Sequence, residues 1–219
     1  MASRLSPDEL AKAAVILTRH LEHCGTDFSI NGGTAVSLLR FKYQVVARVT
    51  DDIDLVIQPK EEIDAESVSK WMCDTYPEVF GEKKIYGFTI PVVKFTRNNG
   101  SKIEIELELF DVRAWPQRPQ YDLTSPENER ITVSVDGVDI PIFGPRWLLR
   151  EKIVTAYDRR GSQKEITDLA DITQLLMIPG LSPVDLSHHP ESVSHVLSQR
   201  PGLEPFLKRG VYCPTVLGN

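Results

Sequence analysis

Leu10, Ala13, Ala14, Leu17 and Leu21 recur at three- and four-residue steps, the spacing that lines one face of an α-helix with apolar side chains. Ser6-Pro7-Asp8-Glu9 stands just before them and offers a cap, a proline suited to the first helical position and the acid of a capping box. The pattern predicts a helix from Ser6 to about His23. Phe28-Ser29-Ile30 then reads as a short strand, Gly32-Gly33 as a turn, and Thr34 to Arg40 as the first turns of a second helix. From Asp52 to Ile57 acidic and apolar residues alternate up to Pro59, which predicts a strand with its carboxylates on one face. Glu61 to Tyr76 reads as helix. Phe88 to Phe95 and Lys102 to Val112 read as two strands of a hairpin around Asn98-Asn99-Gly100.

Ile131 to Val135 and Val138 to Ile142, joined by Asp136-Gly137, form the clearest hairpin signal in the chain. Trp115 to Pro126, rich in proline and without periodicity, reads as an ordered surface loop. From Pro145 the pattern turns helical: Pro145 to Arg159 and Gln163 to Met177 make a pair joined around Gly161, followed by a weaker helical stretch from Val193 to Leu207. The element order predicts an α/β (α+β) protein. Residues 1–143 form a short mixed sheet with helices, and residues 144–219 form a helical C-terminal region expected to complete a cleft.

Composition narrows the class. With 219 residues, 41% of them hydrophobic, the chain can bury a sizeable core. Lys and Arg number 25 against 31 Asp and Glu, a net charge of −6, which withholds the broad basic field of a non-specific nucleic-acid binder. No apolar run approaches the roughly 18–20 residues that span a bilayer, and the segment Met1 to Leu10 has no secretory apolar region. Cys24, Cys73 and Cys213 are odd in number and irregularly spaced, as expected of reduced thiols. A cytoplasmic protein without a membrane partner is expected.

The chemistry concentrates in Gly32-Gly33-Thr34-Ala35 and Arg48-Val49-Thr50-Asp51-Asp52-Ile53-Asp54-Leu55. A glycine pair between a strand and a helix lets backbone N–H groups approach a phosphate closely. Asp52 and Asp54, one residue apart on a strand, project from the same face and offer hard oxygens to one or two divalent cations. With Ile53, Leu55 and Ile57 facing a core, that acidic face opens to solvent or to a site.

These residues resemble the nucleotidyltransferase superfamily with the polymerase-beta-like fold, at Gly32, Gly33, Asp52 and Asp54. Gly-Gly-Thr-Ala followed by Arg-x-Thr-x-Asp-Ile-Asp-Leu looks most like the minimal branch that includes AbiEii-type toxins. Leu148 to Lys152, Arg159-Arg160 and Asp168 to Ile172 look like that branch's second block. The resemblance implies a Mg²⁺- or Mn²⁺-dependent transfer of a nucleoside monophosphate from an NTP to an acceptor, with release of pyrophosphate. It further implies a third carboxylate on a neighbouring strand. Glu104, Glu106 and Glu108 share one strand face and all qualify; Glu106 is the first choice and Glu104 the alternative. Asp111 falls off that alternation.

On this reading Asp52, Asp54, Glu106 and Lys152 are catalytic, with Asp52, Asp54, Glu106 and Glu104 as metal ligands. Gly32, Gly33, Thr34, Arg48, Lys152, Asp168 and Asp171 make up the nucleotide-binding set, with Arg159 as a further candidate. Asp168 or Asp171 positions Lys152 or contacts the acceptor. An RNA 3′ end, a protein hydroxyl and a small molecule stay open as acceptors, as do the base of the NTP and the oligomeric state. A catalytically inactive binding or interaction protein on the same fold is the alternative. In that case Gly32-Gly33 is only a tight turn, the glutamate row a solvated strand face, and Asp168 and Asp171 surface acids. His20 and His23 end a helix and suit its dipole better than a metal.

Overall fold

The Ser6 hydroxyl accepts the Glu9 backbone N–H at 3.2 Å, and the Glu9 carboxylate accepts that of Ser6 at 2.7 Å. This capping box starts α1 (Pro7–Leu21), whose apolar stripe is fully buried. At its end the Nδ1–H groups of His20 and His23 donate to the carbonyls of Ile16 and Arg19 at 2.7 and 2.8 Å, so both rings serve the helix terminus. The structure, a computed structural model, describes residues 5–46, 49–85, 87–97 and 99–219; Arg48 and Asn98 lie outside the described residues.

β1 (Phe28–Ile30) is followed by α2 (Gly32–Leu38), α3 (Arg40–Tyr43) and β2 (Asp52–Ile57). α2 begins at Gly32 itself, so the glycine pair opens the helix and does not form a separate turn ahead of it. α4 (Ala65–Thr75) starts later than the pattern suggests, because Asp64 forms a capping box with Ser67. β3 (Phe80–Ile85), β4 (Phe88–Thr96), β5 (Lys102–Phe110), β6 (Arg130–Val135) and β7 (Val138–Phe143) follow. β3 has no sequence forecast: Glu82-Lys83-Lys84 breaks any alternation, and a charged strand is what a sheet edge tolerates.

The seven strands form one mixed sheet in the order β3-β4-β5-β2-β1-β7-β6. β2 pairs with β5, and β1 with β7, in parallel; the other neighbours are antiparallel. Asp136 and Gly137 turn the β6–β7 hairpin with φ of 50° and 74°, the left-handed pair that a two-residue turn of this kind needs. Ile53, Leu55, Ile57, Ile105 and Leu107 are buried, and this core leaves the alternate positions of β2 and β5 for other work.

The chain divides into two compact units, one of Met1–Lys42 and Ala47–Phe143 and the other of Tyr43–Val46 and Gly144–Asn219. The second contains α5 (Pro145–Asp158), α6 (Gln163–Leu176), β8 (Val184–Asp185), α7 (Pro190–Gln199), α8 (Glu204–Gly210), β9 (Val211–Tyr212) and α9 (Pro214–Leu217). Leu149, Ile153, Ile172, Leu175, Val193, Val196 and Leu207 are buried within it, and Trp147 is 6% exposed. Among the described residues no helix is long and apolar enough to cross a membrane.

Candidate active site

Parallel pairing of β2 with β5 sets Asp52 opposite Glu106 and Asp54 opposite Glu108. Paired residues point to the same side, so the two aspartates and the glutamate row share one face while the alternating isoleucines and leucines fill the other. On that face one oxygen each of Asp52, Asp54 and Glu108 lies within 4.8 Å of the others.

The third carboxylate of this group is therefore Glu108, where the sequence reading favours Glu106 and then Glu104. Lys83 on β3 takes the Glu106 carboxylate in an ion pair of 2.9 Å. Glu104 pairs in register with Lys94 on β4, a further step from Asp54 along β5, and is exposed. Asp111 has a different task. Buried, it accepts the Ala65 N–H at 2.9 Å and the Ala114 N–H at 2.7 Å, fastening the start of α4 and its own loop.

Three carboxylates so close repel one another, and a hard divalent cation relieves that repulsion. The donors are all oxygen, which suits Mg²⁺ or Mn²⁺ and not a sulfur- or imidazole-seeking ion.

The neighbouring residues hold the aspartates in place. Thr50 Oγ1 donates to Asp52 Oδ1 at 2.5 Å, and Thr34 Oγ1 donates to the Asp52 carbonyl at 2.7 Å. The hydroxyl of Thr34, fully buried, is thus spent on strand β2. The Asn31 N–H donates to the Asp54 carbonyl at 2.9 Å. Gly32 has φ of +62°, and a Cβ on it would overlap Asp54 Oδ2 and stand 2.9 Å from Cγ. Only a residue without a side chain fits both demands. Thr50 and Asn31 flank the motif in sequence, yet no periodicity marks them as part of the site.

In the second unit Lys152 Nζ lies 2.8 Å from Asp168 and 2.8 Å from Asp171. The Lys152 side chain is 11% exposed, and those of Asp168 and Asp171 are 1% and 0%. Arg159 meets the other oxygen of Asp168 at 3.2 Å. Burial pulls the Lys152 pKa down, but the charges of Asp171 and Asp168 outweigh it and hold the ammonium above its ordinary value. The cluster ties α5 to α6. With its charge already matched, Lys152 has surroundings that lend no support to a phosphate-compensating role. Nearby, Glu165 accepts the Gly161 N–H at 2.5 Å and meets His195 Nε2 at 2.8 Å. The Gly161 N–H first, and then the His195 contact, hold the Glu165 carboxyl below its ordinary pKa. The three cysteines form no disulfide.

The sequence model of the family described as "Nucleotidyl transferase AbiEii toxin, Type IV TA system" matches residues 16–208. Among solved structures, an antigenic nucleotidyltransferase-like protein from Paracoccidioides brasiliensis is 35% identical with a TM-score of 0.87, over 99% of this chain and 100% of that one. ANT(2″)-Ia in complex with adenylyl-2″-tobramycin is 11% identical with a TM-score of 0.48, over 87% of this chain and 97% of that one. At that distance the second likeness says nothing of chemistry. No curated protein matches the chain.

Proposed function

Because the chain belongs to the AbiEii family of nucleotidyltransferases, we propose that it moves a nucleoside monophosphate from an NTP to an acceptor hydroxyl at the face formed by Asp52, Asp54 and Glu108. The observation that carries this reading is the parallel β2–β5 register, which gathers three carboxylates from two strands beside the glycine pair. Asp52, Asp54 and Glu108 would hold Mg²⁺ or Mn²⁺. Bound there, the cation supplies charge compensation for the phosphoryl oxygens and eases deprotonation of the acceptor.

As the family resemblance implies, Gly32 and Gly33 would meet the phosphate chain with the backbone N–H groups that open α2. Thr34, Thr50 and Gly32 keep the two aspartates in one orientation, so the geometry is prepared before substrate arrives. In the transfer a bond forms between the acceptor oxygen and the α-phosphorus, the bond to the bridging oxygen breaks, and pyrophosphate leaves. A cytoplasmic setting, with its NTP and Mg²⁺, goes with this reading. The net charge of −6 favours a protein or small-molecule acceptor over extensive nucleic-acid contact.

Calorimetric titration of ATP, CTP, GTP and UTP in Mg²⁺, on the wild type and on Asp52→Asn/Asp54→Asn, tests the reading. Metal-dependent binding of at least one NTP, lost in the double variant, is the expected result. Failure of all four to bind the wild type would remove the enzymatic reading and leave a binding protein on the same fold.

A further inference from the structure

The antiparallel pairing of β1 with β2 runs Phe28 to Ile57, Ser29 to Val56 and Ile30 to Leu55. Continued by one residue, it sets Asn31 directly across from Asp54, and the Asn31 N–H bond of 2.9 Å to the Asp54 carbonyl shows that it does continue. Residues directly opposed in an antiparallel pair project to the same side, with Cβ atoms about 4.5–5.5 Å apart. The Asn31 side chain therefore stands beside the Asp54 carboxylate, on the face that carries Asp52 and Glu108.

Asn31 is 6% exposed, and its Oδ1 has no hydrogen-bond partner among the described residues. It occupies the N-cap position of α2, where an asparagine ordinarily turns that oxygen back onto the first N–H groups of the helix; here it makes no such bond. Buried polar atoms without a partner are rare in folded proteins and call for a specific cause.

We propose that Asn31 Oδ1 is a positioning oxygen for the divalent cation at Asp52, Asp54 and Glu108, acting as a ligand or as the acceptor for a coordinated water. The inference rests on the metal-binding part of the proposed function. Three carboxylates already exceed the charge of one divalent cation. A neutral amide oxygen adds a donor without adding repulsion, which accounts for asparagine at a place where a fourth acid would strain the set. The bland competitor is a buried water shared with Ser29 Oγ, the next side chain on this face of β1, which also lacks a partner.

The test titrates Mn²⁺ alone into the full chain, following free Mn²⁺ by electron paramagnetic resonance, and records the metal-free Tm of each variant. Asn31→Leu keeps the size and removes the oxygen; Asn31→Ala serves if leucine does not fold. Asp54→Asn is the control. The expected result is Mn²⁺ affinity weakened about tenfold or more in the Asn31 variant, with a metal-free Tm equal to or above that of the wild type.

Wild-type affinity in both Asn31 variants, with binding lost in Asp54→Asn, overturns the proposal and leaves the metal site standing. An affinity loss seen only where the metal-free Tm also falls overturns it as well, because a structural role or a shared water explains both effects. Equal Mn²⁺ binding by the wild type and Asp54→Asn removes the metal site itself and the inference with it.

Discussion

Gly32 lies against Asp54 so closely that a Cβ on it would stand 2.9 Å from the carboxylate carbon. Its φ of +62° adds a conformational demand of about 1–2 kcal/mol against any other residue. Gly32→Ala is expected to lower unfolding free energy by at least that amount and to displace Asp54, weakening Mn²⁺ binding. Denaturant titration and Mn²⁺ titration check both effects, and a variant unchanged in both would refute the contact.

Glu108 and Glu106 sit two residues apart on one strand face, yet they should answer substitution differently. Glu108→Gln removes a charge from the carboxylate group and is expected to weaken Mn²⁺ binding about tenfold or more. Glu106→Gln breaks a half-exposed pair with Lys83, worth about 0–1 kcal/mol, and should bind Mn²⁺ as the wild type does. The reverse order of effects would return the third carboxylate to Glu106.

Lys152→Met takes the lysine from buried Asp171 and leaves Asp168 with Arg159 and the Thr155 hydroxyl. The expected cost is about 3–5 kcal/mol of stability at neutral pH, read by chemical denaturation. Because the folded pKa of Lys152 is raised, the stability from this pairing is complete below the ordinary value of 10.5 and is lost as pH rises through the higher folded value. The wild type should therefore weaken above pH 10.5 in a way that Lys152→Met does not.

Glu165 titrates in the opposite sense. Its folded pKa is lowered, so its contribution is present above the ordinary value of 4.5 and fades as pH falls through the folded one. The Tm of Glu165→Gln should lie below that of the wild type at pH 7, and the gap should close on acidification below pH 4.5. A gap independent of pH would show that the carboxylate charge is not what the Gly161 and His195 contacts use.

The chain announced its elements wherever their signals are local. The bounds of β2 coincide with the alternation Asp52 to Ile57, because a period of two and a following proline act within a few residues. The capping box at Ser6 and the Asp136-Gly137 turn act over similar distances. The glycine pair with Asp52 and Asp54 marked the family and the acidic face in advance. β3 escaped notice because it is a charged edge strand whose pairing with β4, not its own pattern, makes it a strand.

Alternation on β5 left Glu104, Glu106 and Glu108 equivalent, since a strand's period places all three on one face and says nothing of what lies beside each. The sheet broke that equality. Parallel register with β2 aligns Glu108 with Asp54, while Lys83, two strands away, occupies Glu106. Asn31 likewise gains its meaning only when β1 is laid against β2 and its oxygen is found without a donor. Sequence by itself determined residue types and their periods, which are set by near neighbours along the backbone. Tertiary structure decided which acids meet, because strand register joins positions distant in sequence and local pattern carries no information about it.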